Sequence, residues 1–395
     1  MDHASATPID ISIQKYVSKC EKILFANPNG IHTQSVEVRK VIDEARANIA
    51  RAIGAHADEI IFTGSGTESD ALAILGSIYK NSEVGLRYMP HIVTTTIEHS
   101  AVIENCKMLE HKGLAEVTFV PPEANGIVDP KKIEEALKEN TVLVSVMHAN
   151  NEIGTIQPIQ EIAKVIRRFK KHSNKDNLFF HTDACQAMNY LFTENVDKLG
   201  VDLMTFNGSK IYGPKGIGIL YKKRTVALAP IYEGGGQEMG LRPGTEDVSR
   251  IVGIARALEI TNKLKNTELD RLKILIDYFF KQILSLEKVT GYKIHINGDR
   301  VNRLPNNINI TIAGISSELL VIELDSRGIA VSSKSACKST EEESSHVIHA
   351  LRQAGDNFPS EESLRITLGR STTMFDIKKL LKILEEILLK YKNWK

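Results

Sequence analysis

Residues 181–186 read His181-Thr182-Asp183-Ala184-Cys185-Gln186, and residues 207–214 read Asn207-Gly208-Ser209-Lys210-Ile211-Tyr212-Gly213-Pro214. A short apolar run precedes each stretch, at 178–180 and at 201–206. Asp183 and Lys210 therefore follow two predicted strands, at the sheet edge where open α/β folds bind ligands. A lysine and an acid so placed suit a pyridine cofactor held as a Schiff base, with the acid keeping the ring nitrogen protonated.

Strand-like and helical patterns alternate on both sides of this stretch. Strands are predicted at 59–63, 91–95, 117–120, 141–147, 178–181, 202–206 and 216–221. Helices are predicted at 36–53, 101–111, 130–137 and 159–171, the first of them ending at Gly54 as its C-cap. Such alternation predicts an α/β fold with a mostly parallel sheet covered on both faces.

The pattern changes near residue 247. Two long helices (248–265 and 268–286) are predicted, then short strands near 293–296 and 307–312, and helices at 318–327 and 376–391. This order predicts a smaller α+β domain packed on the first. No Pro/Gly/Ser-rich linker separates the halves, so the boundary is expected inside a long connecting helix. We expect a large domain over 12–255 and a small domain over 256–395 together with 1–11.

Composition excludes several classes of protein. The 395 residues are 42% hydrophobic and 25% charged, with a formal net charge of +1. This balance offers no basic surface for nucleic acid, and no run approaches the roughly 18 apolar residues of a membrane span. The four cysteines are scattered without a C-x-x-C pair, so neither disulfides nor a metal site is expected. A reducing cytoplasm is the expected compartment.

Several further segments suggest ligand contacts, each with a plain structural alternative. Residues 64–67 read Gly-Ser-Gly-Thr before a predicted helix, which suits a phosphate but equally a tight strand–helix turn. His99 follows a strand and would stack on a flat cofactor and shuttle protons as a catalytic residue, or simply begin a helix. Asn151 lies in a loop at the same sheet edge. Arg365 offers a fork to a carboxylate or forms a surface ion pair.

Cys337 differs from the other cysteines in its surroundings. Cys20 and Cys106 have apolar neighbours at helical spacing, and packing is expected for Cys185. Cys337 lies among small and polar residues at 332–340, in a segment expected to be mobile. Lys334 and Lys338 favour the thiolate, whereas the acidic run 341–343 opposes it, so the direction of the pKa shift stays open. We expect a nucleophile on a flexible loop.

Taken in chain order, these segments resemble the cysteine desulfurases, in the class-V aminotransferase family of fold-type-I pyridoxal-phosphate enzymes. The similar segments are 2–8, 27–28 with His32, 64–69, 98–102, 150–154, 183–186, 210–218, 234–248, 332–337 and 364–373. The resemblance implies a large domain with a mostly parallel seven-stranded sheet and a smaller C-terminal α+β domain.

The resemblance also assigns roles around pyridoxal 5'-phosphate. Lys210 would carry the cofactor, Asp183 would pair with its ring nitrogen, and His99 would stack on its ring. Gln186 and Asn151 would hydrogen-bond the ring oxygen or the substrate. The phosphate would be held by Gly66, Thr67, Asn207 and Ser209, with Thr245 reaching the phosphate of the partner subunit in a homodimer.

The implied reaction converts L-cysteine to L-alanine. Arg365 would bind the substrate carboxylate, Lys210 would move the α-proton, and Cys337 would take the sulfur as a persulfide. The sulfur would pass to an acceptor protein, either an iron–sulfur scaffold or a tRNA-thiolation relay. Two alternatives remain: another enzyme of the same fold, such as a selenocysteine lyase or an aminotransferase, and a non-catalytic sulfur-relay partner that kept the fold.

One departure from the family pattern concerns the cofactor site. Where such enzymes commonly have Ser-Gly-His-Lys, this chain has Asn207-Gly208-Ser209-Lys210. Asn and Ser still donate hydrogen bonds, but the histidine is missing. We therefore expect slightly weaker cofactor retention rather than lost activity.

Overall fold

A seven-stranded sheet forms the centre of the first part of the chain. The structure is a computed structural model that describes residues 1–83, 88–191, 195–333, 345–360 and 362–392. The strands are β1 (Ile60–Thr63), β2 (His91–Thr95), β3 (Glu116–Val120), β4 (Thr141–Ser145), β5 (Phe179–Asp183), β6 (Leu203–Asn207) and β7 (Gly218–Lys222). Their spatial order is β1-β7-β6-β5-β4-β2-β3. β7 runs antiparallel to both of its neighbours, and the other pairs are parallel. The predicted mostly parallel sheet is confirmed.

Helices precede or follow these strands along the chain. They are α1 (Ile11–Ile23), α2 (Thr33–Ile53), α3 (Gly66–Glu83), α4 (Ser100–His111), α5 (Pro130–Ala136), α6 (Ile159–Ser173) and α7 (Val196–Leu199). The central strands β2, β4 and β5 are buried along their whole length, as expected of parallel strands between two helical layers. α2 ends at Gly54 with φ 68°, a left-handed C-cap that glycine adopts without steric cost.

A single helix, α8 (Val248–Thr290), replaces the two helices predicted between 248 and 286. The sequence between them holds neither Gly nor Pro, and Lys265 near the expected break is buried and donates to the Leu191 carbonyl (2.7 Å). Helix continues where tertiary contacts support it and no residue breaks it. The proposed domain boundary at 255/256 falls inside α8 and stays a prediction.

A second, smaller sheet follows α8. Its strands are β8 (Ile294–Ile296), β9 (Asn307–Ile312) and β10 (Leu364–Thr367), antiparallel in the order β10-β9-β8. The accompanying helices are α9 (Ser317–Asp325), α10 (His346–Gln353) and α11 (Met374–Lys392). β10 matters for the site because it carries Arg365.

Residues 1–10, hereafter the arm, connect the two sheets. At one end the Met1 carbonyl accepts from the Thr367 amide (2.8 Å), and the Ala4 amide donates to Thr367 Oγ1 (2.9 Å). At the other end the Thr7 amide donates to the Ser209 carbonyl (2.8 Å), next to Lys210. The arm therefore runs from the end of β10 to the loop that follows β6.

Among the described residues, no helix has the length and apolar character needed to cross a bilayer.

Candidate active site

A cavity of about 240 Å³ lies at the carboxyl ends of the parallel strands. The arm and β10 bound it on the side of the small sheet. It collects ten of the predicted site residues: Gly66, Thr67, His99, Asn151, Asp183, Gln186, Asn207, Ser209, Lys210 and Arg365. Residues far apart in the sequence thus meet in one place, as the strand-end argument predicts.

Lys210 lies in the one-turn 3-10 helix Gly208–Lys210 directly after β6. Its Nζ donates to the carbonyl oxygens of Ala4 (2.7 Å) and Ser5 (2.6 Å) in the arm. The turn is fixed downstream by Tyr212, whose φ of 61° is in the left-handed region that non-glycine residues rarely adopt. Tyr212 is held by its amide, which donates to Thr7 Oγ1 (2.8 Å), and by the Arg370 guanidinium 4.0 Å from its ring centroid.

Asp183 ends β5 and is buried, with its Oδ1 accepting from the Cys185 amide (2.8 Å). A second buried carboxylate, Asp70, also lines the cavity. Burial and the charge of Asp183 raise the pKa of Asp70 well above its ordinary value. Asp70 Oδ1 has no hydrogen-bond partner among the described residues and lies 3.6 Å from His181 Nε2. Sequence reasoning missed Asp70, although it lies one helical turn after Gly66 on α3 and so shares its face.

Glu98 and His99 connect the end of β2 to α4. Glu98 is buried, and its Oε1 accepts from Thr95 Oγ1 (2.7 Å) and from the Met147 amide (2.9 Å). Burial, chiefly, with some repulsion from Asp183, raises the pKa of Glu98 to about 8. His99 is the N-cap of α4, its Nδ1 accepting from the Ala101 amide (3.1 Å). His99 therefore begins a helix and also lines the cavity, because the capping bond fixes the position of its ring.

The start of α3 offers backbone N–H groups to the cavity through Gly66 and Thr67. A side chain at residue 66 would crowd this turn, since a Cβ would lie 2.7 Å from Asn207 Nδ2 and 3.0 Å from Cys185 Sγ. Ser65 Oγ accepts from the Glu68 amide (3.1 Å) and orders the first turn. The close approach of this turn to β6 creates a cradle of donors that suits a phosphate.

Asn207, Ser209 and Cys185 form a hydrogen-bonded chain within this cradle. Ser209 Oγ donates to Asn207 Oδ1 (3.0 Å), and Asn207 Nδ2 donates to Cys185 Sγ (3.4 Å). Burial and then the nearby Asp183 raise the pKa of the Cys185 thiol. Cys185 therefore stays a neutral thiol that supports Asn207, a contact that the packing expectation for this residue did not include.

Arg365 is a buried cation on β10, so the surface-ion-pair alternative is wrong. Its side chain is 3% exposed and pairs with Asp2 Oδ1 (2.9 Å from Nη2). Nη2 also donates to Ser5 Oγ (2.7 Å), and Nη1 donates to the Asn151 carbonyl (3.2 Å). Gln186 Nε2 donates to the Ala4 carbonyl (3.0 Å), so the arm contacts Lys210, Gln186 and Arg365 together.

Two predicted site residues, Thr245 and Cys337, are not among the described residues that line this cavity. Thr245 is exposed and does not line it in the described part of the chain. Cys337 lies outside the described residues. Their roles, like the individual roles of the ten residues above, stay predictions.

The residues present fit pyridoxal phosphate. The cavity combines an amine at Lys210, a buried carboxylate at Asp183, an imidazole at His99 and the amide donors of α3. The space opposite Asn207 is kept open by the absence of a side chain at Gly66. Within the described residues, no group of three or more His, Cys, Asp or Glu side chains is arranged to hold a metal ion.

Comparison with known proteins agrees with this chemistry. The family model described as aminotransferase class-V matches residues 1–380. The chain is 42% identical over 396 residues to "Cysteine desulfurase IscS" of Dictyoglomus turgidum, covering 100% of this chain and 95% of that protein. It is 38% identical to "Cysteine desulfurase IscS 1" of Archaeoglobus fulgidus, covering 98% and 96%.

Two solved structures extend the likeness to three dimensions. One described as "NIFS-LIKE PROTEIN" superposes with a TM-score of 0.86 at 31% identity and covers 98% of both chains. Another, "SspA in complex with cysteine", has a TM-score of 0.76 at 32% identity and covers 93% of this chain and 97% of its own.

Proposed function

The chain belongs to the class-V aminotransferases and, within them, to the cysteine desulfurase family, and on that premise we propose that it converts L-cysteine to L-alanine and takes up the sulfur on Cys337. The observation that supports this function best is the single cavity that joins Lys210, Asp183 and Arg365. An amine, an acid and a carboxylate receptor are the groups that this reaction needs from the protein.

We propose that the enzyme depends on pyridoxal 5'-phosphate. When bound, this group supplies an electron sink for the bond changes at the substrate. Lys210 would hold it, Asp183 would keep its ring nitrogen protonated, and His99 would cover its ring. The amides of Gly66 and Thr67, with Asn207 and Ser209, would hold its phosphate.

The protein's own groups would orient cysteine and move its protons. Arg365 would fix the substrate carboxylate, with Asn151 beside it. Lys210, once released, would return to the Ala4 and Ser5 carbonyls and shuttle the α-proton. Burial of Arg365 keeps water from competing for its contacts.

Cys337 would then attack the substrate sulfur as a thiolate. A sulfur–sulfur bond forms, the carbon–sulfur bond breaks, and its electron pair takes up a proton at the β-carbon. The products are L-alanine and a persulfide on Cys337. We propose that the persulfide passes to an acceptor protein, either an iron–sulfur scaffold or a tRNA-thiolation relay. A homodimer in which Thr245 reaches the partner's site and a cytoplasmic location also stay predictions.

The test is alanine release from L-cysteine by the purified protein, with and without a thiol reductant. We expect one turnover per site without reductant and sustained release with it. Lys210→Ala should lose the visible absorbance of the bound cofactor, and Cys337→Ser should lose alanine release while keeping that absorbance. Cys20→Ser, a buried cysteine on α1, is the matched control and should stay active.

Full turnover of cysteine by Cys337→Ser would sink this mechanism and favour a same-fold lyase or aminotransferase. A wild-type protein that stays colourless and inactive with added cofactor would favour the non-catalytic sulfur-relay alternative.

A further inference from the structure

The arm already occupies much of the Arg365 guanidinium. Nη2 donates to both Asp2 Oδ1 (2.9 Å) and Ser5 Oγ (2.7 Å), so both of its hydrogens have partners. Nη1 donates one hydrogen to the Asn151 carbonyl (3.2 Å). Nε is buried and has no hydrogen-bond partner among the described residues. Within the described part of the chain, the donors left without a partner are therefore Nε and the second hydrogen of Nη1.

A guanidinium binds a carboxylate most strongly through two parallel N–H···O hydrogen bonds from one of its edges. An arginine has two such edges, one formed by Nη1 and Nη2 and the other by Nε and Nη2. Both edges need a hydrogen of Nη2. A substrate carboxylate can therefore be held by two bonds only if Asp2 or Ser5 gives up its own bond.

The two residues that accept from Nη2 differ in the strength of their hydrogen bonds and in their position relative to the cavity. Asp2 makes a charge-assisted bond to a guanidinium that is only 3% exposed, whereas Ser5 offers a neutral hydroxyl. Ser5 lines the cavity, and Asp2, within the described part of the chain, does not. An incoming carboxylate thus meets Ser5 first, and Ser5 holds the weaker bond.

We propose that Asp2 is a positioning residue for carboxylate recognition: it anchors Arg365 from outside the cavity while the Ser5 hydroxyl yields its place to the substrate carboxylate. This inference rests on the proposed role of Arg365 in binding cysteine. It adds to that role an internal counter-ion supplied by the arm, 363 residues away in sequence.

Asp2 has two opposing effects on a bound carboxylate. It repels a second negative charge, but 26% of its side chain is exposed to water, which screens that repulsion. It also fixes a buried guanidinium that otherwise keeps only neutral partners. Since the anchored cation is buried and the repelling group is partly hydrated, the anchoring effect outweighs the repulsion.

The experiment measures selectivity for a carboxylate on the cofactor-loaded protein. Dissociation constants of L-alanine and L-alaninamide are obtained from the change in cofactor absorbance, and the ratio of the two is compared among variants. The intrinsic difference between the two ligands cancels in that comparison. We expect Asp2→Asn to lose about tenfold of the wild-type preference for alanine and to raise the KM for L-cysteine more than it lowers kcat.

Two further variants separate positioning from general damage. Asp2→Glu keeps a carboxylate and should recover part of the selectivity. Asp10→Asn removes the other arm carboxylate, which accepts from the Ser12 amide at the start of α1, and should keep the wild-type ratio. Thermal unfolding of each loaded variant shows whether it is folded; if Asp2→Asn is not, Asp2→Ser takes its place.

Unchanged or increased selectivity in Asp2→Asn overturns the inference, and an equal loss of affinity for both ligands shows a merely structural role. A wild-type protein without preference for alanine over its amide contradicts the proposed role of Arg365 instead. The two failures are therefore distinguishable.

Discussion

Ser209 occupies the position at which cysteine desulfurases commonly have a histidine. Its hydroxyl donates to Asn207 Oδ1 (3.0 Å), so its proton is engaged within the protein before any phosphate arrives. A histidine would present a ring donor to the cradle instead. We expect Ser209→His to lower the dissociation constant of pyridoxal phosphate a few fold, measured by absorbance titration of cofactor-free protein. Ser209→Ala should bind no more tightly than wild type, and an unchanged constant in Ser209→His contradicts the prediction.

The raised pKa of Glu98 leads us to expect that the stability of the protein depends on pH. Its pKa is raised to about 8 by burial, against about 4.3 in an unfolded chain. Between these values the native state holds a proton that the unfolded state has released, so this residue makes the protein less stable as pH rises. Glu98→Gln keeps an oxygen for Thr95 and Met147 but does not titrate.

The free energy of unfolding of Glu98→Gln relative to wild type should therefore increase from pH 5 to pH 8, by at most about 1.4 kcal/mol per pH unit. Urea unfolding at several pH values provides the measurement. Glu104→Gln, an exposed site on α4, is the control and should show no such trend. A parallel course for both variants would falsify the assignment.

At the scale of elements, the site depends on how closely β7 approaches the start of α3. Gly218 on β7 has no side chain, and a Cβ there would overlap the backbone of Ser65. Gly218→Ala must push the first turn of α3 away from the sheet. We expect a loss of about 1–3 kcal/mol in stability from overpacking and roughly tenfold weaker pyridoxal phosphate binding.

The matched control is Gly236→Ala, where no described atom lies within 4 Å of the added Cβ. Urea unfolding and cofactor titration of both variants provide the comparison. Tight cofactor binding by Gly218→Ala would show that the first turn of α3 does not hold the phosphate.

The elements themselves were largely predictable, because their signals are local. Apolar runs locate the strands, and Gly54 ends α2 where the left-handed conformation is needed. The predicted break between two helices near residue 265 was wrong. Lys265 is held inside α8 by its bond to the Leu191 carbonyl, a contact between residues far apart in sequence. The contacts of Asp2 and Ser5 with Arg365 were equally out of reach, because no local pattern shows that the arm pairs with β10.

At the scale of the whole molecule, the arm holds the lysine loop against the small sheet. Thr7 is buried, and its Oγ1 donates to the Ser209 carbonyl (3.0 Å) and accepts from the Tyr212 amide (2.8 Å). Thr7→Val keeps the shape but leaves the Tyr212 amide without this acceptor, beside a backbone already in the left-handed region. We expect a loss of about 1–3 kcal/mol in the free energy of unfolding.

Thr7→Ser retains the hydroxyl and should lose less stability in the same urea experiment. If the valine and serine variants unfold alike, the hydroxyl contacts do not hold the loop.

The arm also sets an order of events during synthesis on the ribosome. Ala4 is made 363 residues before Thr367, yet its amide donates to the Thr367 hydroxyl. The last strand of the large sheet ends at residue 222, so all of its strands and Lys210 have been made well before β10. The residues of the proposed cofactor cradle are thus made long before Arg365, and the proposed carboxylate site cannot form until β10 has been made.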